Sequence, residues 1–554
     1  MSQALGGGSI VNSIEMKSAQ VAADSSRAYR YACYAALIFA LAFFAAIRFH
    51  FRNVPLERDE GEYAYMGQLL LQGIAPYKLA YTMKLPGTCM AYAAIMAVFG
   101  QTPGGIRFGM IVVSTLCSLL VFMLGRRLHG LLAGTVAGIT YAFLAIRPGV
   151  LGLEAHATHF VALAALIGIL LLLRGMDGKK LTLFFASGLA FGFSFLMKQP
   201  GIFFGFFGGC YWLWWEWKTG WRWKKVVQRG AALTAGTVLP YAAVCLWMLQ
   251  AGAFHNFWFW TWTYARSYAT IMSLHDTWER SLRWTLPWAV RPFILWEIAG
   301  IGLAAPLWSR SARTNGGFIG GFFLTSALAL CPGLYFRSHY FVLLLPAVAL
   351  CVGVAVECAG RELHRRNWTG ASAVPVLCFA LAFLFSVRGQ WKTYLSLTPT
   401  ELSRKLCHDG QACADNEIVA SSITVRAVRG DQIGILGSEP EICFYTRLLC
   451  ASHYLYAFPL IEQQPFSGQM QRDLLAELQA TRPRFLIYVD DERSWGWSFT
   501  HTLDQNGPFF EQAWNLAHTG YDLVDEVPIP DPGNYTDHLR GSEATFYVFQ
   551  RKDD

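Results

Sequence analysis

About eleven long apolar runs constrain the fold of this chain more than any other feature of its sequence. A helix needs about 20 mostly apolar residues to cross a bilayer, and these runs are close to that length. The sequence therefore predicts an α-helical polytopic membrane protein with about 11 transmembrane helices. The runs lie at residues 31–49, 108–125, 130–146, 156–173, 181–197, 201–215, 230–250, 287–309, 316–333, 340–356 and 370–387.

Composition divides the chain into two regions. Of its 554 residues, 54% are hydrophobic and 15% are charged, against about 25% charged in an average soluble protein. Residues 1–388 hold 32 Lys and Arg against 14 Asp and Glu, whereas residues 389–554 hold 13 against 23. We therefore expect a cytoplasmic segment at 1–28, a transmembrane domain at 29–390 and a soluble α/β domain at 391–554. The cations are spread over short loops, which argues against nucleic acid as a partner.

The distribution of cations also orients the helices. With the N-terminus in the cytoplasm, each of the five cation-rich inward loops holds at least two cations, and three short outward loops hold one each. This is the positive-inside pattern of membrane proteins. The inward cations are Arg126, Arg127, Arg174, Lys179, Lys180, Lys218, Arg222, Lys224, Lys225, Arg229, Arg310, Arg313, Arg361, Arg365 and Arg366. No small-residue cleavage site follows the first run, so we expect that helix to be retained.

The segment 86–100 is apolar but short, which is typical of an interfacial or re-entrant helix. If it crossed the membrane, every later loop would change sides and the cations would lie outside. An odd number of transmembrane helices then places residues 389–554 on the outer face. We expect a bacterial inner membrane with a periplasmic C-terminal domain.

The acidic tail has an α/β pattern. QIGILG, RFLIYV and TFYVFQ predict buried strands, and QMQRDLLAELQATRP predicts a helix that ends before Pro483. GILGSEPE lacks the glycine spacing and the lysine of a phosphate loop, so it predicts a plain turn from strand to helix. Local disulfides and free thiols are both compatible with the spacing of Cys407, Cys413, Cys443 and Cys450.

The ionisable groups at membrane depth gather on the outward side. ERDEGEY, at residues 57–63, places four carboxylates just after the first apolar run. Such groups are costly near a bilayer and usually functional. Because anionic and cationic groups meet on one side, the sequence predicts a site there for an anionic, lipid-borne group. The other outward groups are Lys84, Glu154, His156, His159, Lys198, Arg337, His339 and Tyr340.

Structural explanations exist for the acidic residues. Glu57 and Glu62 could form a solvated loop face. Asp59 and Glu60 could cap the helix that EYAYMGQLLLQG predicts, since acidic side chains favour a helix N-terminus.

The remaining outward groups also have two interpretations. Lys198 and Arg337 could anchor at the membrane interface, and His156 and His159 could be buried core residues. The aromatic loop at 251–286 suits an interface belt of Trp and Tyr. It could instead form a wall for a polyprenyl chain or a sugar.

The first outward loop, 52–107, contains an ordered set of motifs: Asp59-Glu60, then Gly73, Pro76 and Tyr77, then Lys84-Leu85-Pro86 before an apolar helix. This set resembles the first outward loop of the GT-C-fold glycosyltransferases. It is most similar to the protein O-mannosyltransferases and the lipid A aminoarabinose transferases, the PMT-like family. LMKQPG and SHYFVLLLPAVAL resemble later elements of the same superfamily, and the resemblance spans most of residues 28–390.

The resemblance implies an activity and roles for three residues. Enzymes of this family transfer a sugar from polyprenyl phosphate on the outer face with inversion. The resemblance implies that Asp59 is catalytic, that Glu60 is its partner and that Lys84 contacts the carrier phosphate. Two departures leave the acceptor open. The element is Lys-Leu-Pro-Gly rather than Lys-Pro-Pro, and the next outward loop has no matching acid unless Glu154 serves.

The residues themselves suit this chemistry. A carboxylate within reach of an acceptor hydroxyl can take its proton as the new bond forms, and cations can neutralise a phosphate leaving group. The candidate phosphate-binding residues are Lys84, Lys198, Arg337 and His339. The candidates for binding the acceptor or the sugar are Glu62, Tyr63, Glu154 and His156.

We expect no cofactor and no metal, because the sequence shows no dense cluster of ligands. Asp59, Glu60 and Glu154 are nevertheless hard oxygen ligands that a divalent cation could use. The main alternative function is a transporter or flippase of a lipid-linked anionic substrate. Such proteins place ionisable groups near the midplane and often show internal repeats, and no convincing repeat is visible here. The sugar and the acceptor, which could be a protein, a lipid or a glycan, stay open.

Overall fold

A computed structural model describes residues 7–368, 370, 373–407, 413–496, 503–529 and 544–552. Each of the eleven predicted apolar runs coincides with helical structure. The helices of the apolar region are α1 (Gly7–His50), α2 (Arg58–Leu71), α3 (Gly87–Phe99), α4 (Pro103–His129), α5 (Leu131–Leu144), α6 (Ala157–Gly178), α7 (Leu181–Met197), α8 (Ile202–Thr219), α9 (Trp223–Gln250), α10 (Phe254–Trp258), α11 (Ala265–Ala269), α12 (Leu274–Asp276), α13 (Arg283–Ala289), α14 (Phe293–Leu303), α15 (Ala305–Trp308), α16 (Arg310–Leu328), α17 (Leu345–Arg365) and α18 (Ala373–Arg388).

Four described helical segments are long and apolar enough to cross a membrane by themselves: Arg27–His50, Pro103–His129, Ala157–Gly178 and Trp223–Gln250. Five further apolar helices are shorter, including α3, which packs against α2, α4 and α7. The helical fold is therefore confirmed, whereas the number of spans and the orientation of the chain remain predictions.

Single helical turns link several of these helices. Turns of 3₁₀ helix lie at Pro148–Val150, Gln199–Gly201 and Ser338–Leu343, and π-helical turns lie at Phe259–Tyr264 and Thr277–Leu282. The three 3₁₀ turns contain or directly adjoin ionisable residues that the sequence places on the outward side. The π-helical turns belong to the aromatic loop.

The C-terminal region contains a five-stranded mixed sheet in the order β2-β1-β3-β5-β4. β1 pairs in parallel with β2 and β3, and β5 pairs antiparallel with β3 and β4. The three predicted strands and the predicted helix are present. The elements are α19 (Trp391–Ser396), α20 (Pro399–Leu406), α21 (Asp415–Thr424), β1 (Gln432–Leu436), α22 (Pro440–Thr446), β2 (Leu449–Cys450), α23 (Phe458–Ile461), α24 (Ser467–Thr481), β3 (Phe485–Asp490), α25 (Glu492–Trp495), α26 (Leu503–Gly520), β4 (Tyr521–Pro528) and β5 (Thr545–Arg551).

Two disulfides cross-link residues of this region. Cys407 bonds to Cys413, and Cys443 bonds to Cys450. The sequence is compatible with local disulfides and with free thiols, and the structure has the local disulfides. The second bridge joins α22 to β2, so it fixes the helix that follows β1 against the sheet.

The C-terminal region packs directly on the first outward loop. Buried residues of both belong to one hydrophobic core, and α22 lies against α2. Gly61 marks the closest approach, because a Cβ added there would lie 2.6 Å from the Cβ of Glu441 and 2.7 Å from its backbone nitrogen. A residue without a side chain therefore lets the two helices touch.

We expect Gly61→Ala to destabilise the protein, because the added methyl group would push α2 away from α22. Overpacking of this kind typically costs about 1–3 kcal/mol. Thermal unfolding in detergent should give a lower Tm for this variant than for Gly209→Ala, since nothing lies within 4 Å of a Cβ at Gly209. Equal Tm values for the two variants would contradict this packing.

Candidate active site

The acidic motif forms the start of α2. Glu57 is the N-cap residue, and its carboxylate accepts a hydrogen bond of 2.8 Å from the backbone N–H of Asp59. Glu60 completes a capping box by accepting the backbone N–H of Glu57 at 3.1 Å. The expectation that Asp59 and Glu60 cap this helix was therefore only half right, because the helix begins at Arg58 and the cap precedes it. The carboxylate of Asp59 is left for other contacts.

Glu60 ties the motif to the rest of the protein. Its side chain is fully buried and is bound by both terminal nitrogens of Arg107, one at 2.7 Å. It also accepts the backbone N–H of Ala155. These contacts occupy both carboxylate oxygens and connect α2 to α4 and to the loop before α6.

The solvated loop face considered for Glu57 and Glu62 is wrong, because both residues are buried. Packing of the C-terminal region over α2 removes them from solvent. Asp59 keeps a partly exposed side chain, at 23%. It is therefore the carboxylate of this motif that a bound molecule could most readily reach.

Lys84 joins two of these carboxylates. Its ammonium lies 2.8 Å from Oδ1 of Asp59, contacts Glu62 and lies 4.6 Å from the ring centre of Tyr63. Burial disfavours the charged form of Asp59, but the adjacent ammonium outweighs burial and lowers the pKa of Asp59 well below its ordinary value. Burial likewise disfavours charge on Lys84, yet the two carboxylates raise its pKa well above the usual range.

Tyr456 brings the C-terminal region into this cluster. Its hydroxyl donates to Oε2 of Glu62 at 2.8 Å and lies 3.3 Å from Oδ1 of Asp59. No sequence pattern indicates this contact, because Tyr456 lies almost 400 positions after Asp59 and belongs to no motif. Only the packing of the two regions reveals it.

A second predicted cation, Lys198, adjoins a pair of histidines. Nζ of Lys198 lies 3.4 Å from Nε2 of His339 and 4.0 Å from the ring centre of Tyr340. His339 stacks on His156, with ring centres 4.1 Å apart, and Nε2 of His156 lies 2.7 Å from Glu154. Burial is the largest influence on Lys198 and lowers its pKa to about 7.

One cavity of about 720 Å³ collects most of the predicted site. Lys198 and Arg337 line this cavity and are partly buried, so the interface anchors considered for them are not what the structure shows. The cavity is lined by six predicted residues: Asp59, Glu62, Lys84, Lys198, Arg337 and His339.

The other predicted residues lie behind the cavity wall. Glu60, Tyr63, Glu154 and His156 are buried and do not line the cavity. His159 is also fully buried in the described structure, which agrees with a core position.

Both interpretations of the aromatic loop have support. Trp258 and Trp278 are exposed and lie outside the cavity wall, as an interface belt requires. Trp260, Trp262 and Tyr264 line the cavity, and Trp262 is also exposed. One stretch of the loop therefore provides a wall of the site, while other tryptophans of the loop are exposed away from it.

Residues from distant loops come close enough to hold a metal ion. Asp59, His156 and His339 each have a ligand atom within 4.8 Å of the others, and so do Glu57, Glu154 and His156. Carboxylate and imidazole ligands suit several divalent cations. The sequence concealed these groups, because their members are separated by up to 280 positions and share no spacing motif.

A family sequence model described as dolichyl-phosphate-mannose-protein mannosyltransferase matches residues 86–247. No curated protein matches the chain. The matched stretch begins at Pro86, directly after Lys84, and includes α3 to α8 and most of α9.

Two solved structures of ArnT are similar to this protein over nearly the whole chain. ArnT from Cupriavidus metallidurans bound to undecaprenyl phosphate is 16% identical, with a TM-score of 0.56, over 92% of this chain and 97% of that one. Its apo form is 17% identical, with the same TM-score, over 93% and 98%.

An apo oligosaccharyltransferase from Archaeoglobus fulgidus is 11% identical, with a TM-score of 0.50, over 82% of this chain and 70% of that one. At such identities the likeness concerns the fold. The chain thus has the GT-C fold, and its resemblance to the PMT-like glycosyltransferases is confirmed.

Proposed function

We propose that this protein is a membrane glycosyltransferase. It moves a sugar from a polyprenyl phosphate carrier to a hydroxyl or phosphate group of an acceptor, with inversion at the anomeric carbon. Asp59 is the base. The reaction takes place on the outer face of a bacterial inner membrane, with the N-terminus in the cytoplasm and residues 391–554 in the periplasm.

The observation that carries this proposal is the shared cavity of Asp59 and three cations. Lys84, Lys198 and Arg337 come from three separate segments, yet they line one cavity with Asp59. Its volume of about 720 Å³ falls in the usual range for small-molecule sites. The proposed transfer requires cations that can bind the donor phosphate and a carboxylate close to them, and this cavity has both.

The geometry supports a direct displacement. As the acceptor oxygen bonds to the anomeric carbon, its proton passes to the carboxylate of Asp59. The bond between that carbon and the phosphate oxygen breaks at the same time. The electron pair stays on the polyprenyl phosphate, and the nearby cations stabilise the added charge. Attack opposite the leaving group inverts the anomeric configuration.

Lys84 couples donor binding to the strength of the base. In the structure its ammonium is shared by Asp59 and Glu62, which makes Asp59 a weak base. A donor phosphate would compete for the same ammonium, so the pKa of Asp59 would rise when the donor is present. The base therefore becomes effective in the donor complex.

The remaining predicted residues act indirectly in this proposal. Glu60 positions α2 through Arg107, and it does not line the cavity. Glu154 orients His156, which supports His339 by stacking. Glu62 is the second partner of Lys84. A role for these residues in binding the acceptor or the sugar stays a prediction.

A transporter or flippase of a lipid-linked anion is the alternative. The C-terminal region covers the acidic cluster and contributes Tyr456 to it, which suits a site for chemistry better than a path for transport. Incubation with a polyprenyl phospho-sugar in detergent and in liposomes separates the two, because transport moves the lipid without covalent change.

We expect Asp59→Asn to reduce sugar transfer by about 100-fold or more, the typical contribution of a general base, because an amide cannot accept the proton. The measurement is release of polyprenyl phosphate from a radiolabelled polyprenyl phospho-sugar in the presence of membrane extract as acceptor. Asp177→Asn is the matched control, since Asp177 pairs with Arg127 and its side chain is 63% exposed. Near-normal transfer by Asp59→Asn would remove Asp59 as the base.

Binding of the donor should weaken as the pH rises through 7. Burial lowers the pKa of Lys198 to about 7, so its ammonium is mostly present below this pH and is lost above it. A polyprenyl phospho-sugar is a diester and keeps one negative charge throughout, so its affinity should fall between pH 6 and pH 8.5. Lys198→Arg should bind with little change over this range, because a guanidinium stays charged.

The same variant controls for other groups that titrate nearby. Burial raises the pKa of Glu57 to about 8, and Glu57 is unchanged in Lys198→Arg. If that variant showed the same fall in affinity as the wild type, the pH dependence would belong to Glu57 or another group.

Transfer should survive removal of divalent metal ions, because lysine and arginine side chains supply the positive charge at the cavity. The test compares protein treated with EDTA and untreated protein in the transfer assay. Loss of activity that Mn²⁺ or Mg²⁺ restores would overturn metal independence and would assign Asp59, His156 and His339 as ligands. Binding of Mn²⁺, followed by its paramagnetic resonance, would then be lost in His156→Ala.

A further inference from the structure

A carboxyl group of the C-terminal region lines the cavity and has no role in the proposed reaction. Glu462 directly follows α23 and belongs to the cavity wall. Its Oε2 accepts a hydrogen bond of 2.6 Å from the hydroxyl of Tyr264 in the aromatic loop. Within the described residues its Oε1 has no hydrogen-bond partner. One oxygen is thus fixed in place and the other is available to a ligand.

Aromatic rings flank this carboxyl group. Tyr264 contacts Trp260 edge to face, with ring centres 4.9 Å apart, and Tyr268 stacks on Tyr335 at 4.6 Å. Trp260, Tyr264 and Tyr268 line the cavity, whereas Tyr335 does not. A sugar ring offers hydroxyl groups at its edge and apolar C–H groups on its faces. Aromatic rings beside a hydrogen-bonding carboxyl group match both features.

Arg337 relates this group to the proposed reaction centre. It lines the same cavity as Asp59 and Glu462, and its charge influences both of these carboxyl groups. In the proposed function Arg337 binds the donor phosphate, and the sugar is one bond away from that phosphate. Glu462 is therefore placed to meet the sugar that the phosphate carries.

We propose that Glu462, held by Tyr264, binds hydroxyl groups of the donor sugar and discriminates among polyprenyl phospho-sugars. This inference rests on the proposed function and deepens it, because it names the part of the donor that this side chain recognises. Glu462 is a specificity-determining residue, and it takes no part in proton transfer to or from the reacting atoms.

The protonation of Glu462 agrees with such a role. Burial is the main influence and raises its pKa to about 7. At neutral pH a large part of this group is therefore ionised, and a carboxylate accepts hydrogen bonds from sugar hydroxyl groups more strongly than a neutral group does.

The test compares two kinds of lipid, without and with a sugar, in the wild type and in one variant. Undecaprenyl phosphate without sugar and undecaprenyl phosphate carrying mannose, glucose or arabinose are titrated into the full-length protein in detergent. Wild type should bind one of the sugar-bearing lipids more tightly than the others. Glu462→Gln should weaken that binding by roughly tenfold, as expected for a lost hydrogen bond to a charged group, and should change binding of undecaprenyl phosphate by less than about twofold.

Glu477→Gln is the matched control. Glu477 is another carboxylate of the C-terminal region, bound to Ser452 and His453, and it lies outside the cavity wall. This variant should bind both kinds of lipid as wild type does. Tyr264→Phe keeps the ring and removes the hydroxyl that holds Glu462, so it should lose part of the sugar preference.

The other outcomes are distinct. If Glu462→Gln weakens both kinds of lipid equally, the residue supports the fold or the phosphate site and the inference is wrong. If it weakens neither, Glu462 does not contact the sugar, while the proposed function stands. If wild type binds none of these lipids, the proposed function fails together with the inference.

Discussion

The ion pair between Lys84 and the carboxylates of Asp59 and Glu62 is the interaction on which this site depends. Burying charges is costly, and the cost is met only when partners are close and hydrogen-bonded. Glu62 is fully buried, Lys84 is nearly so, and the hydroxyl of Tyr456 completes the group. Removing Lys84 would leave two neighbouring carboxylates without a counter-charge, so the position of Asp59 depends on this ammonium.

Four neighbouring carboxylates have four different environments. Glu57 caps α2, Glu60 binds Arg107, and Glu62 pairs with Lys84. Asp59 alone of these four keeps a partly exposed side chain. Three of the four carboxylates in this acidic run thus hold the local structure in place. The fourth, Asp59, which we propose as the base, lies at the wall of a cavity that cations from other segments also line.

Much of the architecture follows from the sequence, because apolar runs and strand patterns report local structure. The eleven helical regions and the strands β1, β3 and β5 were predicted in this way. The resemblance singled out Asp59 and Lys84, which the structure shows in direct contact, and their roles stay a prediction. The sequence could not reveal Tyr456 or Glu462, since their contacts depend on how the C-terminal region packs on the first loop. It also suggested that Glu57 and Glu62 are solvated, because a local pattern contains no information about burial by a distant part of the chain.

The contact between Tyr456 and Asp59 has a consequence for biosynthesis. A ribosome makes residues 57–84 long before residues 440–462, so the nascent protein carries the acidic motif before Tyr456 exists. The carboxylates gain this partner only after the segment beyond β2 has been made and has packed on α2. A product truncated before Tyr456 would keep the apolar helices, but Glu62 would lack one of its hydrogen-bond donors and Asp59 would lack a neighbouring hydroxyl.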